Sequence, residues 1–339
     1  MIQERKIDFF GIILGMKLKF IVSKTANFFF FIDNLSEWNI YYRKKYNEEW
    51  IRQFGKLTKQ EKKALRNFRL MMQKHQKTNV PKKLRNCFYQ KPDDIKFAFN
   101  RTTKLLNKKE VSVLENSFNI LQPRFEKVWD RYLTVLLHNK NVASLAYRKL
   151  ENKLNLTYSK LENFYGNKSA KRYLCNVFFI ISPNRGGKAI RKNVVSIEAE
   201  MLDPKDKYQF IRLWFSIMHE LAHARFENKK YKNWLKKFLK NKKIPKSKLI
   251  KEHNAKEILR EIITDLTKVA LYNILKKEDK IKLGIHKHIK NIKKVSDLSS
   301  LEKLTRCELG PTIERYFLIK RKIDIDFLER CWGLIEKYS

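Results

Sequence analysis

Nine glycines and seven prolines in 339 residues are too few to turn a chain as often as an all-β sandwich or barrel requires. The chain must run in long elements, and apolar residues recurring at three and four positions predict that most of these are helices. Hydrophobic residues make up 43% and aromatics 13%, so a sizeable core is available and disorder is excluded despite 32% charged residues. The length suits one large domain or two coupled ones.

A net charge of +40 raises nucleic acid as a partner. Lysine supplies most of it, 55 against 20 arginines, and lysine lacks the planar fork that grips phosphate. A solvated, lysine-coated surface is the simpler expectation, with nucleic acid the alternative. Cys87, Cys175, Cys307 and Cys331 lie far apart without a CxxC pair, which predicts neither a disulfide framework nor a thiolate zinc site and fits a reducing, cytoplasmic setting. No apolar run approaches the roughly 20 residues that span a bilayer. The apolar residues 9–16 are cut short by Lys17 and Lys19 with no small-residue cleavage site after them, so no leader is expected.

Residues 1–15 are read as an extension outside the fold, 16–168 as a mostly helical region opened by one or two strands, and 169–339 as the region that carries chemistry. Residues 17–22 alternate as a strand, and the aromatic run 27–32 has strand length. Helical periodicity then covers 37–75, 93–106, 112–137 and 142–165. Residues 173–181 read as a buried strand, 184–187 as a turn and 193–199 as a second strand, together a hairpin. Gly186-Gly187-Lys188 is not a phosphate loop, since Ser182 stands where its first glycine belongs and Ala189 where it needs Ser or Thr. Asp203-Pro204 has the form of a helix start, and the following helix is apolar around most of its circumference. Residues 229–256 hold twelve lysines and one acid, Glu252, the composition of a solvated insertion. Asn254 is placed to cap a further helix over 254–275, and the tail is helical with breaks at Gly284 and Gly310-Pro311.

Within the apolar helix stands His219-Glu220-Leu221-Ala222-His223. A spacing of four puts both imidazoles on one helix face, close enough to bind one tetrahedral Zn²⁺, with Glu220 beside them as a base for water. Buried polar groups without partners cost a few kcal/mol each, so three of them in an apolar helix call for partners. A catalytic zinc takes a third protein ligand, and the next capped helix offers Glu257, Glu261 and Asp265 at intervals of four, with His253 just before it.

This pattern resembles the gluzincin metallopeptidases, in which H-E-x-x-H is followed on a later helix by E-x-x-x-D, matched here by Glu261-Ile262-Ile263-Thr264-Asp265. The resemblance covers about residues 203–275 and implies an α+β, mostly helical, zincin-like fold with a small sheet before the H-E-x-x-H helix. It further implies His219, His223 and Glu261 as zinc ligands, Glu220 as general base and Asp265 as the acceptor that orients a ligating imidazole. Thirty-seven residues separate His223 from Glu261, more than the tightest gluzincin spacing, and Glu257, Asp265 or His253 remain alternatives for the third ligand. A polypeptide substrate is implied, laid along the strand 193–199, with Tyr272, His286, His288 and Tyr316 available to steady an oxyanion. The alternatives are a basic nucleic-acid binder that uses 229–256, with Tyr231 and Trp234 for stacking, and an inactive zincin-like interaction protein.

Overall fold

The structure is a computed structural model that describes residues 16–39, 42–167, 173–182, 186–198, 200–274, 295 and 297–338. The proposed extension 1–15 and the expected break at Gly284 lie outside the described residues. Helix accounts for about 70% of the described residues, and four strands among them form one small sheet, an α+β architecture.

Strands β1 (Met16–Val22), β2 (Tyr173–Ile180), β3 (Gly186–Arg191) and β4 (Val194–Glu198) stand in the order β1-β2-β4-β3. The first three in that order are parallel, and β3 runs antiparallel to β4 along one edge. The expected hairpin of 173–181 with 193–199 is therefore corrected. Residues 186–191 are a strand rather than a turn, and β4 slots between β2 and β3, parallel to β2. Every residue of β4 is buried, the mark of a strand covered on both faces inside a parallel sheet.

The run 27–32 is not a strand but part of helix α1 (Lys24–Leu35), whose N-cap Ser23 accepts a hydrogen bond from the Ala26 N–H at 3.2 Å. An all-round buried helix shows no periodicity, so its aromatic run cannot be told from a strand in the sequence. Phe28 stacks on Phe125 at 4.2 Å, Phe29 on Phe88 at 4.5 Å, and Phe31 leans on Trp50 at 5.0 Å. Asn27 fastens this helix to the sheet: its amide donates to the Phe179 carbonyl at 3.1 Å and accepts from the Ile181 N–H at 2.6 Å.

Helices α2 (Lys44–Phe54), α3 (Lys59–Lys74), α4 (Val80–Phe88) and α5 (Ile95–Thr102) lead into α6 (Lys108–Phe164), opened by a capping box of Asn107 and Glu110. The two helices expected over 112–137 and 142–165 are one element of 57 residues that continues past Pro123. It braces the first strand and the segments before α7 and after residue 266. Tyr147 donates to the Met16 carbonyl at 2.9 Å, Asn139 bonds Glu200 and Leu202 main chain at 2.9 and 2.8 Å, and Thr157 reaches the Ala270 carbonyl at 3.4 Å.

Helix α7 (Lys207–Leu221) starts later than expected: Asp206, not Asp203, is the cap, accepting from the Tyr208 and Gln209 N–H groups at 2.8 and 3.1 Å, while Asp203 holds the preceding turn. A π-helical turn, Ala222–Phe226, follows it. Residues 229–256 fold as two helices, α8 (Lys229–Lys240) and α9 (Lys248–His253), which bury Tyr231, Leu235, Phe238, Leu249 and Ile250 while their lysines face water. Asn254 caps α10 (Ala255–Leu266) as expected, accepting from the Glu257 N–H at 3.0 Å. A 3₁₀ stretch, Thr267–Ile274, comes next, and helices α11 (Leu298–Leu318) and α12 (Ile325–Tyr338) close the fold. The break expected at Gly310-Pro311 does not occur, because Leu304, Leu309, Ile313 and Phe317 are buried on either side of it and hold α11 together.

Asn27→Ala should lower stability by about 2–4 kcal/mol, because it strands two buried main-chain groups at the end of β2. Urea denaturation reads this, and a loss below about 0.5 kcal/mol would mean that α1 is not anchored through this side chain.

Candidate metal centre

Helix α7 ends in the histidine motif, and the π-helical turn begins inside it. The i→i+5 pattern of that turn is closed by the Glu227 N–H bonding the Ala222 carbonyl at 3.3 Å. Residues four apart share one face of such a turn. His223 and Glu227 are such a pair, and Nδ1 of His223 sits 2.6 Å from Oε1 of Glu227.

On the other side of the imidazole, Nε2 of His223 lies 3.1 Å from Nε2 of His219 and 3.0 Å from Oε2 of Glu261. Nε2 of His219 and the same Glu261 oxygen are 3.4 Å apart. Helix α10 brings Glu261 across to α7, its apolar side buried through Ile258, Leu259, Ile262 and Ile263. His219, His223 and Glu261 thus form a three-donor group that could hold a metal ion. Zn–N and Zn–O bonds of about 2.0–2.2 Å at tetrahedral angles put neighbouring donors about 3.3 Å apart, so the observed spacings suit that ion. Two imidazole nitrogens and one carboxylate oxygen are also a donor set typical of catalytic zinc.

The carboxylates shape the electrostatics. Burial disfavours charge on His223, but its bonds to Glu227 and Glu261 outweigh this and raise its pKa to about 10. Burial likewise works against the charge on Glu261, and the two histidines overcome it, holding the carboxyl well below the usual range. Arg260 ties the acids together: its Nε lies 2.6 Å from Oε2 of Glu227, and its other nitrogens lie 3.4 Å from Glu261 and 3.3 Å from Glu257. Thr264 donates to Glu227 at 3.2 Å.

Glu227, an acid not expected at the site, holds Nδ1 of His223. Asp265 is buried and engages Lys268 and, at 3.4 Å, Arg306, and it makes no hydrogen bond to either imidazole. Nδ1 of His219 and Oδ2 of Asp265 are both buried without a hydrogen-bond partner. Glu257 pairs with Arg260 instead of joining the donors, and His253 lines the same cavity without joining them. Tyr316 donates to Asp324 at 3.0 Å among the C-terminal helices, away from the cavity. The side chain of Tyr272, with His286 and His288, lies outside the described residues.

The donors open into a cavity of about 830 Å³ whose other wall is β3. A Cβ on Gly187 would lie 2.7 Å from Cγ of Glu220, so only glycine lets the strand pass this close to that carboxylate. The strand beside the cleft is therefore β3, not the expected 193–199, which β3 covers. The sequence reading missed Glu227, Arg260, Thr264 and Gly187. Of these only Glu227 carries a local signal, an acid four residues beyond the second histidine. Comparisons with protein-family models, curated proteins and solved structures found no match to this chain.

Replacing the acid that holds His223, by Glu227→Ala, should weaken zinc binding about 10–100-fold. Chelator competition on folded protein measures this, and an unchanged affinity would leave Glu227 no part in aligning the imidazole.

Proposed function

We propose that the protein is a zinc-dependent peptidase with a zincin-like catalytic half. One observation carries this reading: His219, His223 and Glu261 converge to mutual distances of 3.0–3.4 Å, with Glu220 on the same helix facing the same cavity. The arrangement of an antiparallel edge strand beside the motif helix, with the third donor on a later helix, supports the zincin-like assignment.

His219, His223 and Glu261 would hold the zinc, which when bound supplies a Lewis acid that acidifies water and polarises a carbonyl. The remaining chemistry belongs to the chain. Glu220 accepts a proton from the attacking water and passes it to the leaving nitrogen as the C–N bond breaks, yielding a carboxylate and an amine. Glu227 keeps the ring of His223 turned so that Nε2 faces the donors. Strand β3 is an edge among the described strands, and an extended peptide added along it would hold the scissile bond beside Glu220.

Elemental analysis should find one zinc per chain in the wild type and little in His223→Ala or Glu261→Ala. Glu220→Gln should keep the metal and lose at least about 10²-fold in peptide cleavage. A zinc-free wild type after reconstitution, or a fully active Glu220→Gln, would sink the reading. Gly187→Ala should lower kcat with zinc content unchanged, since its methyl displaces Glu220, and normal turnover in that variant would mean that the carboxylate need not sit where it does.

A further inference from the structure

The cleft does not end at the donors. A second cavity of about 720 Å³ adjoins the first and shares Tyr42 and Arg43 with it. The junction lies at the Gly186 end of β3, where the Glu198 carboxylate and the Arg43 guanidinium both crowd Gly186, Arg43 Nε lying 3.6 Å from that carboxylate and its open side facing the second cavity. A peptide paired with β3 and cleaved beside Gly187 would leave that end of the strand directly toward Arg43.

Charge along this path is uneven. Arg43, Lys44, Lys45 and Arg212 line the second cavity against a single acid, Glu200. Lys44 pairs with Glu48 at 3.4 Å, but both side chains are mostly exposed, and such pairs contribute little. Lys45 and Arg212 make no ion pair among the described residues. Beyond the other end of the donor group the lining is mixed, with Glu257 and Glu302 against Arg260 and Lys268. Of the two tyrosines in the basic cavity, Tyr46 is buried with its hydroxyl on Glu198 at 2.5 Å, so bases have no pair of open rings to stack on. Arginine and lysine around a strand-lined cleft suit side-chain carboxylates.

We infer that the substrate is an acidic polypeptide, whose Asp or Glu residues flanking the cleaved bond dock in the basic cavity beyond Gly186. This rests on the peptidase reading for the cleavage, but the docking can be tested without it. Opposite charges at the mouth of the cleft also speed encounter, so the preference should weaken as salt rises.

The test uses the full-length, zinc-loaded protein and two decapeptide pools, one rich in Asp and Glu and one with Asn and Gln in their place. Wild type should cleave the acidic pool with a kcat/KM at least about tenfold higher, and Glu220→Gln protein should bind it at least about tenfold more tightly by fluorescence anisotropy. Lys44→Glu/Lys45→Glu/Arg212→Glu should remove both preferences. A control of equal charge, Lys236→Glu/Lys237→Glu/Lys240→Glu on the exposed face of α8, should keep them. Cleavage without acidic preference, or equal effects of the two reversals, would overturn the inference and leave the peptidase reading standing. Acidic binding that only the cleft reversal removes, with no cleavage of either pool, would support the docking and count against the peptidase. A single-stranded oligonucleotide of matched charge that binds more tightly, and is lost in the cleft reversal alone, would overturn the inference in favour of nucleic acid.

Discussion

The imidazole of His223 is clamped between two carboxylates, Glu227 on Nδ1 and Glu261 on Nε2, in a site where it is nearly buried. Neither acid could sit there alone, because an uncompensated buried charge costs several kcal/mol. Arg260 satisfies both from the outside, so histidine, two acids and arginine form one mutually dependent unit. That unit joins the turn after α7 to α10. The hydrogen bonds set the register at which the helices meet, and the register decides whether the donors converge.

Holding α7 in place is the task of the rest of the molecule. Trp214 on α7 packs against Phe20 of β1 at 6.2 Å and Tyr147 of α6 at 6.4 Å, so one side chain links helix, sheet and brace. The brace α6 touches the first strand and the 3₁₀ stretch after α10, which makes the sheet and the third donor parts of one frame. Sites built on such elements keep their geometry better than sites on loops. The lysine-rich helices α8 and α9 span the sequence between the second histidine and Glu261, and their burial of Leu235 and Leu249 returns the chain to α10 without a long open loop.

Local chemistry was legible where a signal is confined to one turn or one face. The histidine pair, the acid between them and the Asn254 cap follow from helical spacing and capping rules alone. Burial on all sides erases periodicity: the phenylalanine run of α1 has the pattern of a strand, and the double-sided burial of β4 gives no sign of its parallel partner. Two aspartates, Asp203 and Asp206, compete for the cap of α7, and only the hydrogen bonds choose between them.

By itself the sequence determined a mostly helical chain, a pair of histidines on one helix face and a short set of acids able to complete a metal site. Which acid meets the imidazoles was decided by tertiary structure: Glu257, Glu261 and Asp265 share one face of α10, and the crossing of α10 over α7 brings Glu261 to them while Lys268 and Arg306 engage Asp265. The same holds for Gly187, whose lack of a side chain matters because a strand from another part of the chain passes within van der Waals reach of Glu220. Spacing along one helix is a local property that 3.6 residues per turn enforces. The meeting of two elements depends on the packing of the whole core between them, and no local pattern encodes it.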